Sequence, residues 1–396
     1  MAEDMDNRSV SVTLEGRIDS ENAARVERSI LGSLAGHENA PVILEAEDLD
    51  YISSAGLRIL LRIRKSHPEM KITGVKPEVY EILEMTGFVQ LMTVEKAYRA
   101  ISVDGCELIG EGANGKIYRI DRDNVVKVYK NADALSEIRH EREMARLALI
   151  LDIPTAISYD VVRVGDYYGS VFELLQARSL SGIMAADPKK LSWCVEECVK
   201  LLHRLHHTAA PEGKLPSAKE KIQNELSQIR QGLPESSCTK LERMITDIPE
   251  TGTVIHGDFH TRNVMQTDGE ILLIDMDTLA EGHPVFELAR VFMAYVGFAE
   301  ADGEMVRSFQ GLDTMLAREF WNRLLRAYLN LADEQAVTRA EDRIRCISYV
   351  CLLGWSTRHH DPENEKEQAS AALWKKELLE LLERVDSLAI PIPENH

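Results

Sequence analysis

The sequence predicts two domains, a small α/β unit followed by a larger, two-lobed α+β unit, and three observations carry that reading. Up to about residue 101, half-buried strand patterns alternate with short amphipathic helices, as in a single sheet with helices packed on it. From Cys106 the pattern becomes strands joined by glycine-rich and Asp/Asn turns. From Leu191 apolar residues recur every three or four positions, which is a helical period. A chain of 396 residues is long enough for two or three cores. The expected divisions are 1–103, 104–175 and 176–396, the last two being lobes of one domain.

The formal net charge of -19 sets the chain against nucleic acid and anionic membrane surfaces, both of which would repel it. No apolar run approaches the ~18 residues that suggest a membrane span. The start, Met1-Ala2-Glu3-Asp4, lacks the basic and apolar regions of a signal peptide, so the expected location is the cytoplasm. The six cysteines show no CxxC pair, a pattern of reduced thiols. Cys194 and Cys198 could share a helix face with His203, His206 and His207. Leu191, Val195, Leu201, Leu202 and Leu205 mark the same stretch as a core helix, and it is read as core rather than as a zinc site.

In the first domain, Val10, Val12 and Leu14 alternate with polar residues as a strand, and Asp19-Ser20 precedes a helix carrying Val26, Ile30 and Leu34. Val42-Ile43-Leu44 is a second strand, and Ser53-Ser54 opens a second helix with Leu57, Leu60 and Leu61 inward. Lys71 to Val75 forms a third strand. Pro77 starts a third helix that Gly87 stops, and an amphipathic piece runs from Val94 to Ile101. No catalytic set is present. The stretch Asp50-Tyr51-Ile52-Ser53-Ser54-Ala55-Gly56-Leu57, with the later Met85-Thr86-Gly87-Phe88 corner, resembles the STAS domain of bacterial anti-sigma-factor antagonists over residues 8 to 102. That resemblance implies a phosphorylatable serine at the helix start, here Ser54, on a surface that docks an anti-sigma-type protein partner. Phosphate at that place would meet free N–H groups and the positive end of the helix dipole. Ser53 stands where many antagonists have aspartate. Both serines also read simply as helix caps.

The second domain opens with Leu108-Ile109-Gly110-Glu111-Gly112-Ala113-Asn114-Gly115, in which Gly110, Gly112 and Gly115 have the GxGxxG spacing. A dinucleotide fingerprint would enter a helix next, but Lys116 to Ile120 reads as a strand, Asp121 to Asn124 as a turn, and Val125 to Tyr129 as a returning strand. A glycine turn at a hairpin, then Lys127 in the next strand, is the protein-kinase layout. In that layout Lys127 reaches the α- and β-phosphates of ATP and needs an acidic partner. The helix from Leu135 to Leu151 offers Glu137, Glu141 and Glu143, of which Glu143 best fits by position, with Glu141 next. Val161 to Leu175 reads as a hairpin whose second strand ends at the inter-lobe hinge, where backbone groups from Glu173 to Leu175 would meet adenine.

In the helical lobe, Pro211 to Glu250 is polar and reads as a mobile or substrate-facing insertion. His256-Gly257-Asp258-Phe259-His260-Thr261-Arg262-Asn263 follows, then the apolar strand Ile271 to Ile274 and Asp275. One carboxylate to orient a hydroxyl, one amide oxygen and one further carboxylate for magnesium are what phosphoryl transfer requires. Asp258 takes the first role, Asn263 and Asp275 the second, while His256 is read as pinning the loop backbone. From Cys106 to Leu382 the chain resembles the aminoglycoside phosphotransferase and choline kinase-like enzymes of the protein kinase-like fold. That resemblance implies an ATP- and Mg2+-dependent transfer to a hydroxyl of a small molecule. Gly257 stands where most protein kinases have arginine, Asp275-Met276-Asp277 replaces Asp-Phe-Gly, and the short route to Pro284 leaves no room for an activation segment. The alternative reading is a signalling protein whose kinase-like domain senses nucleotide or phosphorylates a protein serine.

Overall fold

The structure, a computed structural model, describes residues 9–37, 40–112, 114–267, 269–359 and 364–393. It divides into two compact units. The first holds the chain up to Tyr118 with Lys127–Ala132 and Asp160–Val171, and the second holds Arg119–Val126, Asp133–Tyr159 and Phe172 onward.

The first unit begins with β1 (Val10–Ile18), α1 (Ala23–Leu34), β2 (Val42–Ile52), α2 (Ser54–Ser66), β3 (Lys71–Val75), α3 (Pro77–Met85), α4 (Phe88–Leu91) and β4 (Thr93–Lys96). The sheet order is β1-β2-β3-β4 and every pairing is parallel, so helices must make the crossovers. Leu14, Val42, Leu44 and Ile72 of the strands are buried with Ile59, Leu60, Val79 and Leu83 of the helices. α2 lies so close to the strand ends that a Cβ on Gly56 would meet Ile52 Cγ1 at 2.6 Å and Ile18 Cγ2 at 2.8 Å.

The amphipathic piece expected from Val94 to Ile101 divides between two sheets. β4 closes the first, and after Ala97 and Tyr98 the strand β5 (Arg99–Ile101) pairs with β9 (Asp160–Val164) in another. That second sheet has the order β5-β9-β10-β8-β7-β6, with β6 (Glu107–Glu111), β7 (Gly115–Arg119), β8 (Asn124–Tyr129) and β10 (Tyr167–Glu173). The glycine turn, the Asp/Asn turn and the β9–β10 hairpin fall where the sequence predicts them.

The second unit is mainly helical. It contains α5 (Leu135–Ile150), β11 (Arg178–Ser179), α6 (Leu180–Ala186), α7 (Leu191–His207), α8 (Ala218–Ile229) and α9 (Glu235–Thr246). Four short strands follow, β12 (Val254–Ile255), β13 (Val264–Gln266), β14 (Ile271–Leu273) and β15 (Ala280–Glu281). The unit ends with α10 (Pro284–Phe292), a π-helical turn Met293–Gly297, α11 (Phe298–Ala301), α12 (Gly303–Gln310), α13 (Thr314–Leu329), α14 (Glu334–His359) and α15 (Glu365–Leu382). The polar 211–250 stretch is no loose insertion. Ile222, Leu226 and Ile229 of α8, and Leu241, Met244 and Ile245 of α9, are buried at helical spacing, and Pro234 sits at the start of α9. Cys194 and Cys198 are buried in α7, and the His206 ring pairs with the Tyr328 hydroxyl at 2.7 Å. Among the described residues no cluster of three His, Cys, Asp or Glu could hold a metal, and no helix is long and apolar enough to cross a membrane.

Candidate active site

The loop from His256 to Asn263 leaves β12, whose Ile255 pairs with Ala280 of β15, so the segment after Asp275 lies beside its start. The approach is tight enough that Gly257 is obligatory. It has φ +83°, and a Cβ there would meet the Thr278 carbonyl oxygen at 2.4 Å. The Thr278 hydroxyl donates to the His256 carbonyl at 2.8 Å. The buried His256 ring accepts at Nδ1 from the Asp258 N–H (3.3 Å), which puts its proton on Nε2, 3.1 Å from the Ile274 carbonyl. From below, the fully buried carboxylate of Glu287 in α10 accepts from the backbone N–H of His256 and, at 3.0 Å, of Gly257. Burial pushes the Glu287 pKa up against the pull of His256 and those N–H donors. The far end is held by Thr261, whose N–H donates to Tyr295 Oη at 2.8 Å and whose hydroxyl meets Ser181 at 2.6 Å.

So fixed, the loop presents Asp258 with 47% of its side-chain surface open. Partial desolvation opposes its ionisation, but His260 with Nε2 3.6 Å away, then His256 and Arg290, outweigh it and hold the pKa below the ordinary aspartate value. Asn263 donates from Nδ2 to the Asp258 carbonyl at 3.1 Å. Its own carbonyl accepts from Ile274 N at 2.9 Å, extending the β13–β14 ladder in which Val264 faces Leu273. Antiparallel pairing therefore sets Asn263 opposite Ile274, one residue from Asp275. Asp275 itself has φ +66° and ψ +58°, a left-handed conformation that costs a non-glycine residue about 1 kcal/mol or more and gathers at functional sites. His140 of α5 reaches the carbonyl of Asp277 just beyond, Nε2 to O 2.8 Å. One carboxylate and one carboxamide oxygen suit magnesium, which takes few protein ligands and completes its shell with phosphate oxygens and water.

The residues expected to meet nucleotide lie on the six-stranded sheet, on α5 and just past the end of β10. The β6–β7 turn is closed by Gly112 N donating to Gly115 O at 2.9 Å, and Lys130 Nζ donates to the Gly112 carbonyl at 2.9 Å. Gly115 is required because a Cβ would lie 2.4 Å from the Val128 carbonyl oxygen, whereas no neighbour lies within 4 Å of a Cβ at Gly112. Gly110 closes on nothing nearer than the Ile117 side chain at 3.6 Å. Lys127 is half-buried in β8, its Nζ 5.1 Å from the Tyr129 ring centroid. Glu143 stands exposed on α5, across the helix from the buried Ile138, Met144, Ala145 and Ala148. Glu141 lies on their side and is half-buried. β10 ends at Glu173, and the Leu174 N–H is engaged by the Asp123 carbonyl at 2.7 Å, ahead of the half-buried Leu175.

A cavity of about 530 Å³ opens directly on Asp258 and Gly257, with Phe298, Phe309 and Trp355 along its walls. A larger one, about 650 Å³, lies in the first unit between Ile101–Asp104 and β7. Residues 105–321, more than half the chain, match the Phosphotransferase enzyme family.

The chain belongs to the phosphotransferase enzyme family.

Residues 4–101 match the STAS domain. Over 91 residues, 22% of this chain and 78% of the relative, the sequence is 34% identical to "Putative anti-sigma factor antagonist BtrV" of Bordetella bronchiseptica. Solved structures similar to this phosphotransferase include the GDP and kanamycin complex of APH(2")-IIIa, at 15% identity, 76% of this chain, 98% of that chain and TM-score 0.48. Another is a choline/ethanolamine kinase family protein from Mesorhizobium loti, at 14% identity, 70% and 88% coverage and TM-score 0.45. Within this phosphotransferase, sequence reasoning missed Glu287, Tyr295 and Ser181, which hold the loop without belonging to it. Glu287 leaves one signal, a single charge inside the apolar run Pro284 to Ala289, since a buried acid must be answered by donors. In the STAS domain, Ser53 caps α2 by accepting from Ala55 N at 3.2 Å, and Ser54 is exposed at the first helical position.

Proposed function

We propose that this phosphotransferase moves the γ-phosphoryl group of ATP, with magnesium, onto a hydroxyl of a small molecule, and that its STAS domain meets an anti-sigma-type protein partner. The observation that carries the reading is the placement of Asp258, Asn263 and Asp275 on one braced loop and hairpin, with a cavity opening on Asp258. In this reading Asp258 accepts a hydrogen bond from the acceptor hydroxyl and orients its oxygen toward the phosphorus. As the new O–P bond forms and the bond to the ADP oxygen breaks, the hydroxyl proton passes toward Asp258. The transition state is loose, so the depressed pKa of Asp258 is no handicap, and orientation contributes most. Asn263 and Asp275 would hold magnesium, which when bound offsets the charge of the phosphates. Gly110, Gly112 and Gly115 would cover the phosphates, Lys127 would contact them, and the backbone at Glu173 and Leu175 would receive adenine. Calorimetry with Mg-ATP tests the assignment. Binding is expected for the natural chain, with Asp275→Ala weakening it at least about tenfold, and Asp258→Asn is expected to retain binding while turnover falls by about 10²-fold or more. Equal Mg-ATP binding by the Asp275 variant sinks the reading.

The exposure of Ser54 beside a separate capping serine favours a second element of the proposal, a phosphorylation switch on the STAS surface. A phosphate there adds charge at a helix start without removing the cap. Mass spectrometry after incubation with Mg-ATP reads whether this chain modifies Ser54 itself. An unmodified Ser54 in turning-over enzyme counts against modification of Ser54 by this chain.

A further inference from the structure

Resting on that assignment of Asp258, we infer that the acceptor is an anion, an alcohol that carries a carboxylate or phosphate on an apolar body. The cavity on Asp258 gathers three cationic side chains from three helices, Lys221 of α8, Arg290 of α10 and Arg358 of α14. Among the described residues that line it, the acidic groups are Glu225 and Asp258 itself. Glu225 is nearly buried and is taken up by the arginines, Arg290 Nη2 donating to its Oε1 at 2.6 Å and Arg358 Nη2 lying 3.6 Å from the same oxygen. Lys221, one turn before Glu225 on α8 and exposed, has no carboxylate partner among the described residues.

On a chain of net charge -19, a pocket with more positive than negative groups is a local reversal of the protein's own field. Arg290 stays charged although burial opposes it, because the Glu225 and Asp258 carboxylates act on it. With Asp258 reserved for the hydroxyl and Glu225 occupied, a cationic amino-alcohol would face Lys221 and Arg358 without a counter-charge. An oxyanion would instead receive hydrogen bonds from both, of the charge-assisted kind that are the stronger sort. The apolar part of the acceptor has Met293, Phe298, Phe309 and Trp355 to lie against. The π-helical turn after α10 sets Met293 into this wall while aiming Tyr295 at Thr261, so one irregular turn serves both pocket and loop.

Three probes of one shape and different charge decide the matter: 4-(hydroxymethyl)benzoate, 4-(hydroxymethyl)phenyl phosphate and 4-(hydroxymethyl)benzylamine. Each is titrated calorimetrically into the full chain and into Lys221→Met and Arg358→Met. Both positions are exposed, so these variants keep the fold, whereas a change at Arg290 would strand the buried Glu225. One or both anions are expected to bind and the amine not, with affinity for the anion falling at least about tenfold in each variant. Which anion binds more tightly separates carboxylate from phosphate. Tighter binding of the amine, anion binding untouched by both variants, or no binding of any probe overturns the inference. Mg-ATP titration of the same samples reads on the phosphotransferase assignment alone, so anion binding without Mg-ATP binding would sink that assignment and leave the anion pocket standing.

Discussion

At the scale of single residues, the candidate site depends on positions whose side chains never reach a substrate. Gly257 lets the backbone run so close to Thr278 that a Cβ would lie 2.4 Å from its carbonyl oxygen, and Glu287 gathers the N–H groups of the two residues that precede Asp258. Removing the acceptor leaves those buried donors unanswered, a loss of about 1–3 kcal/mol for each orphaned group. Glu287→Ala is therefore expected to destabilise the fold by several kcal/mol in urea unfolding, and Glu287→Gln, which retains one acceptor oxygen, by clearly less. Turnover should follow the same order, because both variants act by letting Asp258 drift. Equal stability of the two variants would show that the carboxylate does not brace the loop. Glu287 was poorly legible in the sequence because its role depends on a contact 30 residues away, while Asp258, Asn263 and Asp275 were legible because their spacing is local.

At the scale of elements, helix phase decides what composition leaves open. Glu141 and Glu143 are equally acidic and two residues apart, so they point to different sides of α5. Only the buried set Ile138, Met144, Ala145 and Ala148 shows that Glu141 is on the packed side and Glu143 on the open one. α5 also touches the segment after Asp275 through the exposed His140, which lies outside that buried set. Steady-state kinetics should find kcat/KM lowered at least about tenfold by Glu141→Gln and by less than about twofold by Glu143→Gln. The reverse order would return the role to Glu143. The same dependence on phase hid α8 and α9. Their polar residues outnumber their apolar ones, yet Ile222, Leu226 and Ile229 recur on one face, and that periodicity outweighs mean polarity. Strand alternation in the first domain and the turns of the second were readable because period and turn chemistry are written in neighbouring residues.

For the whole molecule, two buried imidazoles make stability depend on pH. His206 is held neutral to about 3, chiefly by burial and then by the nearby His203, His207 and His283, and His283 to about 4, chiefly by burial. In the unfolded chain each titrates near 6.5, so the unfolded state binds more protons below that value. Their contribution is complete above about pH 6.5 and is lost as pH falls toward 4, by about 2 kcal/mol each at pH 5. Urea midpoints at pH 7.5 and 5.0 should diverge, and His206→Gln should narrow the gap while lowering stability at pH 7.5.

The joint between the domains makes a prediction that composition could not. The sequence places the boundary at residue 103, but Arg99 to Ile101 already run parallel to Val162 to Val164 as the edge strand of the second sheet. Arg99 pairs with Asp160 at 3.0 Å, and Tyr98 meets Tyr168 edge to face at 5.3 Å. Only Ala97 and Tyr98 separate that strand from β4 of the STAS sheet. Three residues are too short to announce a strand by period, and parallel pairing has no turn to mark it, so β5 was invisible in the sequence. Its loss would leave the β9 edge with unpaired backbone groups, which favours association with other chains. A chain beginning at Ala97 should therefore unfold at higher temperature than one beginning at Asp104, by an amount corresponding to about 1–3 kcal/mol for the few hydrogen bonds and contacts removed. The shorter chain should also sediment as larger species at high concentration. Indistinguishable melting and sedimentation would mean that β5 adds nothing to the sheet and that the domains part at residue 103 after all.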